Sequence, residues 1–307
     1  MSVARIVAAG LLLCGGLLAQ PEAAAGAVPA LVNSGTPMLV PVQCGSEEIN
    51  ALGLTCSAEE PCPVFLELDG IEAVASKLFL SGNLHTATTT LSSILLFSPD
   101  GGKTWSEPHE RIRSAGLDQI QFVDFQNGWI AGHQLQALPR DPFFLRTTDG
   151  GKTWRRRPVF GDSQPGTIEA FWFDSREQGT VLIDRQSSEG GGRYARYETM
   201  TGGESWMIRE VSARAPKLKR SAGENAAWRV RPHAPSQAYR IEKQEGERWL
   251  TVASFLIRAG DCVPARPEPR EEPPPEVEQE AEPPPAPAPA PPPAKPRTPP
   301  SLKKPRP

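Results

Sequence analysis

The chain has 307 residues, a formal net charge of −3 and four histidines. That length allows a substantial core, and so small a negative charge argues against a nucleic-acid partner. After the apolar run at the start no other is long enough to cross a membrane as a helix, so the body of the chain is expected to be soluble.

Residues 1–27 read as a targeting segment, with Arg5, then apolar Ile6 to Leu18, then small residues at Ala19 and Ala23 to Ala27. That is the order of a signal peptide, and it implies an exported protein, periplasmic, envelope-associated or secreted. Cys14 follows Leu13, too bulky for the small residue that a lipid-attachment site wants, which argues against a lipid anchor there. Cys44, Cys56, Cys62 and Cys262 remain after the leader. An even count in an exported chain points to disulfides, with three connectivities open. Cys56 and Cys62 are near enough to close a small loop, and Cys44 and Cys262 would then tie the two ends of the globular region. No CxxC spacing or neighbouring histidine supports a metal, and no metal or cofactor is expected.

Residues 28–63 are expected to form an irregular lead-in with one or two edge strands, such as Met38 to Val42. From residue 64 to 262 the pattern becomes short apolar runs divided by turn residues, which is the pattern of an all-β fold. One stretch recurs there: Ser98 to Trp105 (SPDGGKTW) returns as Thr147 to Trp154 (TTDGGKTW) and, degraded, as Thr199 to Trp206 (TMTGGESW). A fainter echo keeps only Gly246 and Trp249. A step of about 50 residues marks a repeat architecture. A second marker keeps the same step: Ile71, Phe122 and Phe173 lie 51 residues apart.

Each recurrence predicts a hairpin corner. Asp100 and Asp149 can bond their own backbone two residues on, and Gly102, Gly151 and Gly203 supply positive φ. Thr104 and Thr153 add a hydroxyl, and Trp105, Trp154 and Trp206 an apolar body to wedge between sheets. Each unit holds four short strands, in the second roughly Gln119 to Asp124, Gly128 to Gly132, Phe143 to Arg146 and Trp154 to Pro158. The fourth unit is weaker, starting near Leu218 and ending in Trp249 to Leu256. Four-stranded sheets repeated about an axis are propeller blades. The expected fold is therefore all-β: a small or open β-propeller of four to five four-stranded blades.

Residues 263–307 change character, with 19 prolines in 45 residues. Such a tail is expected to be disordered and extended. Glu268 to Glu282 is acidic, whereas Lys295, Arg297, Lys303, Lys304 and Arg306 make the end basic and suited to touch an anionic surface.

The recurring stretch resembles the Asp-box, or bacterial neuraminidase, repeat. The order of apolar strand, Gly-Trp strand (Gly128-Trp129) and Asp-Gly-Gly-x-Thr-Trp is similar to the photosystem II stability/assembly factor family and its non-photosynthetic bacterial relatives. In the Asp-box family these residues are structural corners away from any active site. The resemblance implies a non-catalytic binding or assembly scaffold that engages a protein partner in the cell envelope. The alternative it leaves open is a carbohydrate-active propeller, glycan-binding or a divergent sialidase-like glycosidase.

No catalytic set stands out. A sialidase-like arginine triad and Tyr–Glu pair are not found: Tyr194, Tyr197 and Tyr239 are the only tyrosines, all late, and Arg240-Ile241 is followed by Glu242 rather than Pro. Glu67, Asp69, Asp118, Asp124, Asp162, Asp174 and Asp184 could serve two-carboxylate chemistry, with no pair singled out. Loops after the second strand and between blades share one face, so His85, His109, Arg111, Arg113, His133, Gln134 and Arg140 are expected along one rim, a cationic surface for an acidic partner.

Overall fold

The computed structural model describes residues 30–264 except 43, 136, 188–190 and 219–223. The expected signal peptide, Cys14 and all but the first two residues of the expected tail lie outside the described residues. The lead-in supplies a short strand, β1 (Leu31–Val32), and a six-residue helix, α1 (Ser46–Ala51). Sheet I follows with β2 (Cys62–Val74), β3 (Lys77–His85), β4 (Thr90–Ser98) and, at its outer edge, β5 (Thr104–Trp105). Sheet II is β6 (Ala115–Phe122), β7 (Gly128–Leu135), β8 (Pro139–Thr147) and β9 (Arg155–Pro158). Sheet III is β10 (Thr167–Phe173), β11 (Gly179–Asp184), β12 (Tyr194–Thr199) and β13 (Met207–Ser212). Sheet IV has three strands, β14 (Trp228–His233), β15 (Ala238–Glu245) and β16 (Arg248–Leu256). All are antiparallel meanders, as the propeller reading requires.

The recurring turns are built as their residue types dictate. Asp100 Oδ1 accepts from the N–H groups of Lys103 and Thr104 (3.0 and 2.9 Å), and Oδ2 accepts from the Thr104 hydroxyl (2.7 Å). The Ser98 hydroxyl donates to Asp100 and accepts from Gly102 N–H, and Trp105 Nε1 donates to Gly102 O. Asp149, Thr147, Thr153, Gly151 and Trp154 repeat every one of these bonds. In the third turn the Thr201 hydroxyl stands where the aspartate would, accepting from Ser205 N–H (3.0 Å), and Trp206 Nε1 has no partner. At Gly151 φ is +85°, and a Cβ would lie 2.4 Å from Phe79 of sheet I, so this is where one sheet approaches the next. Gly246 and Trp249 flank a tighter hairpin between β15 and β16, without the side-chain bonds of the other turns.

Three apolar seams join the sheets. Trp105, Phe255, Ile241 and Leu78 pack sheet IV on sheet I. Phe79, Ile130, Phe143 and Trp154 pack I on II. Trp129, Phe144, Phe171 and Phe173 pack II on III, with the Trp129 and Phe173 rings stacked at 3.8 Å. Among the described residues the seams run in the order IV–I–II–III. Each fully buried aromatic in these seams contributes about 1.5–3 kcal/mol.

The fourth unit departs from the expected four strands. The segment near Leu218 is not a strand, and the short 3₁₀ turn Glu224–Ala227 leads into β14. The missing strand is offset at the other edge. Met38 pairs in parallel with β16, accepting from Leu256 N–H and donating to Ser254 O (2.9 and 2.8 Å). In the same way β1 covers the edge of β5, and β17 (Arg258–Cys262) returns from sheet IV to pair with β2. Both disulfides are formed as the spacing favoured, Cys44–Cys262 and Cys56–Cys62. They point to an oxidising, exported setting. No helix among the described residues is long and apolar enough to cross a membrane.

Candidate functional site: an acidic axial cavity

The inner strands β2, β6 and β10 wall a cavity of about 980 Å³ along the axis, and Ala226 also lines it. Each of these strands slips register once: between Leu68 and Gly70, between Leu117 and Ile120, and between Ile168 and Ala170. A β-bulge of this kind re-aims the residue caught in it. The residues caught are Asp69, Asp118 with Gln119, and Glu169, and all of them line the cavity. Glu72 and Asp124 line it as well, and among the described residues no lysine or arginine does. Gly70 makes the geometry possible, because a Cβ there would lie within 2.4 Å of Ser81 Oγ, and closer still to Asp118 O.

One end of the axis concentrates the charge. Asn83 Nδ2 donates to Glu67 Oε2 (3.0 Å), and His133 Nδ1 stands 3.1 Å from Asp118 Oδ2. Asp69 sits among them: burial, then the charges of Glu67 and Asp118, push its carboxyl from 3.8 up to about 7, against the opposing pull of His133. Burial, then Glu67 and Asp69, likewise raise Tyr239, whose hydroxyl reaches the Leu68 backbone. Lower down, Glu72 accepts from Phe122 N–H, and Gln121 bonds both backbone groups of Phe173 (2.8 Å each), stitching the inner strands together. Trp172 ties its indole N–H to Asp174 (3.1 Å) and lines the same cavity.

The seven residues expected along one rim are placed in separate, mostly paired settings. Arg111 makes a two-pronged bond to Glu107 (2.8 and 2.6 Å) and reaches Pro41 O, and Arg113 shares a small cavity with it. Arg140 bonds Ser163 (2.7 Å) and neighbours Asp141, opposite Gln134 in the β7–β8 ladder. Gln134, with its amide turned to satisfy both neighbours, donates to Ser114 O and accepts from Arg156. His85 bonds Thr86 O and packs on Phe65, His109 bonds Glu110 O, and His133 is buried against Asp118. Among the seven, Arg111 and Arg113 thus share one cavity, and Gln134 and Arg140 face each other across the ladder.

Of the seven carboxylates noted in the sequence, Glu67, Asp69 and Asp118 come together, whereas Asp124 caps a turn and Asp184 pairs with Arg193. A signal for the axis was present and unused: Glu67, Asp118 and Glu169 lie 51 residues apart, on the same step as the apolar markers.

No protein-family model and no curated protein sequence matches the chain. Solved β-propellers are similar in fold. A structure of YCF48 bound to D1 peptide is 19% identical, covering 62% of this chain and 56% of that one, with a TM-score of 0.37. A GH74 enzyme from Niastella koreensis is 19% identical over 46% of this chain and 20% of its own, with a TM-score of 0.32. An α-L-arabinofuranosidase from Fusarium graminearum is 12% identical over 71% and 62%, with a TM-score of 0.33. The chain thus spans little more than half the length of the YCF48 structure. At these values the similarity extends to the β-propeller fold alone.

Proposed function

We propose that the chain is a non-catalytic binding scaffold of the cell envelope, periplasmic in a diderm cell, that holds a protein partner at its acidic axis. The observation that carries this is the cavity itself, into which three bulged inner strands turn Asp69, Asp118 and Glu169, with no lysine or arginine among the described residues that line it. Carboxylates set around a concave site favour a basic partner through long-range attraction and exclude acidic ones. The cations Arg111 and Arg140 already hold internal partners, so the axis rather than the rim is the contact. The turn geometry supports kinship with Asp-box propellers of the assembly-factor type. Proteins captured from envelope extract should include one that binds the wild-type chain, binds Arg111→Ala/Arg140→Ala equally, and is lost with Asp69→Asn/Asp118→Asn/Glu169→Gln. Capture undiminished by the cavity variant would overturn the reading.

A second reading, a carbohydrate-active propeller, is favoured by one observation. Asp69 is a carboxyl held protonated to about 7 within electrostatic reach of Asp118, the environmental asymmetry that glycosidases exploit. Hydrolysis of any member of a glycan panel, abolished by Asp69→Asn, would establish it over the scaffold.

A further inference from the structure

The four described cysteines form one group rather than two separate links. Cys44–Cys262 ties the lead-in to β17, and Cys56–Cys62 closes a short loop ahead of β2, with Cα separations of 5.1 and 5.2 Å. Strands β17 and β2 are neighbours in sheet I, and their ladder sets Cys262 directly opposite Cys62. Residues paired in this way have Cα atoms about 4.5–5.5 Å apart, within the span of roughly 4.4–6.8 Å that a disulfide bridges. The backbone therefore already accommodates a third bond, Cys62–Cys262.

The four residues are unequally open. Cys262 is fully buried and Cys56 is 7% exposed, whereas Cys44 and Cys62 are partly exposed. Cys44 also lines the small cavity, of about 240 Å³, that it shares with Arg111 and Arg113. A small nucleophile can enter there and reach the first bond from its Cys44 side. We propose that the four cysteines are a thiol–disulfide exchange site whose substrate is a dithiol, and that reduction by two electrons replaces the Cys44–Cys262 bond with Cys62–Cys262.

The steps balance as ordinary exchange. A thiolate of the dithiol attacks Cys44 Sγ, forms a mixed disulfide and expels the Cys262 thiolate. The second sulfur of the dithiol then attacks the first, which frees Cys44 and leaves the dithiol as a disulfide. The dithiol has lost two electrons and the chain has gained them. Cys262 next attacks Cys62 Sγ and expels Cys56, with no further change in oxidation, and the two protons end on Cys44 and Cys56. The ladder keeps Cys262 and Cys62 opposed throughout. The new bond also links distant parts of the chain, so it restrains the unfolded state more than the loop it replaces, whose ends are 6 positions apart. What changes in the fold is the lead-in: it loses its covalent tie to β17, and hydrogen bonds and packing are left to hold Met38 on β16 and β1 on β5.

The test exposes the folded full chain to limiting dithiothreitol, quenches it in acid, alkylates it and maps the bonds by mass spectrometry. In the chain reduced by two electrons, more than half of the molecules should contain Cys62–Cys262 and be alkylated at Cys44 and Cys56. The double variant Cys56→Ser/Cys62→Ser lacks the receiving bond and should be alkylated at Cys44 and Cys262. Two single variants test the same geometry without reductant. Cys44→Ser and Cys56→Ser each leave one thiol over, and both should contain Cys62–Cys262, with the free thiol at Cys56 in the first and at Cys44 in the second. Alkylation of Cys44 and Cys262 in most of the reduced wild-type chain overturns the exchange. So do a first cleavage at Cys56–Cys62, thiols that appear only in denaturant, and single variants that keep their remaining original bond.

Discussion

Sheets II and III follow one plan, strand for strand, yet their outward faces toward the next position in the arc differ. On sheet II that face carries Trp129, Ala131 and Phe144, all buried against sheet III. The residues at the same ladder positions of sheet III are Thr180, Leu182 and Arg196, and the last belongs to an ion-pair network with Glu198, Glu210 and Arg209. Repeat proteins end with a unit whose outer face is polar, because an apolar face without a neighbour would be a site of association. Sheet III carries the more polar of the two faces, with Arg196 where sheet II has Phe144, although Leu182 on it is buried.

The largest effect should come from the seam that this comparison isolates. Trp129 is fully buried, stacks on Phe173 and donates its indole N–H to Gly202 O (3.0 Å). Trp129→Ala should cost about 3–5 kcal/mol in denaturant unfolding, through the cavity left and the unpaired carbonyl. Thr180→Ala, its counterpart on the free face, should stay within about 0.5 kcal/mol. Equal costs would mean that sheet III packs against something on its far side.

The turns give the next difference. In Asp149 the upward push of burial is outweighed by bonds from the Thr153 hydroxyl and N–H, Thr147 and Lys152, and the carboxyl is lowered from 3.8 to about 2. Its contribution is complete above the ordinary value of 3.8 and is lost as pH falls through about 2. Asp149→Ala should cost about 1–2 kcal/mol at pH 7 and progressively less in acid. The third turn offers the converse. Thr201→Asp would let a carboxylate accept from Ser205 as Asp149 does from Thr153, and should raise the melting temperature at pH 7 and not at pH 2.

Much of this was legible in the sequence, and the limits have a physical origin. Turns, cysteine pairs and three of four sheets follow from local chemistry: an Asp-Gly-Gly corner declares itself within eight residues. Sheet IV was harder to read because the segment added at its β16 edge, around Met38, comes from the far end of the chain. The acidic axis was hidden for another reason. Alternation assigns Asp69 and Glu169 to a face by parity, and a bulge reverses parity in one step. Along the rim, the pairings of Arg111 and Arg140 depend on Glu107, Asp141 and Ser163, whose directions no spacing reveals.

Asp69 tests the axis against the ordinary carboxylates of the turns, with the opposite sign. Its pKa is raised, so the folded chain holds a proton that the unfolded chain releases, and stability falls as pH rises from about 4 to 7. The full rise would correspond to about 4 kcal/mol, reduced to roughly 1–2 kcal/mol by the open mouth of the cavity. Asp69→Asn should therefore stabilise the chain at pH 8 and bring no gain at pH 3.5.

The smallest expected effect bears most directly on how the arc ends. Glu198 bridges Arg196 (2.8 Å) and Arg209 (2.9 Å) on a solvated face. Exposed pairs of this kind contribute about 0.2–1 kcal/mol and fade with salt. Glu198→Ala should cost no more than that at low ionic strength and nothing measurable at 0.5 M salt, where the Debye length shrinks to about 4 Å. The more telling variant is Arg196→Phe, which gives sheet III the aromatic that Phe144 provides on sheet II. Its stability should barely change, but sedimentation should show concentration-dependent association, since the polar end would then offer an apolar face with no sheet to cover it. A variant that stays monomeric at every concentration would show that the charges do not cap the arc, and that something else keeps the third sheet from pairing.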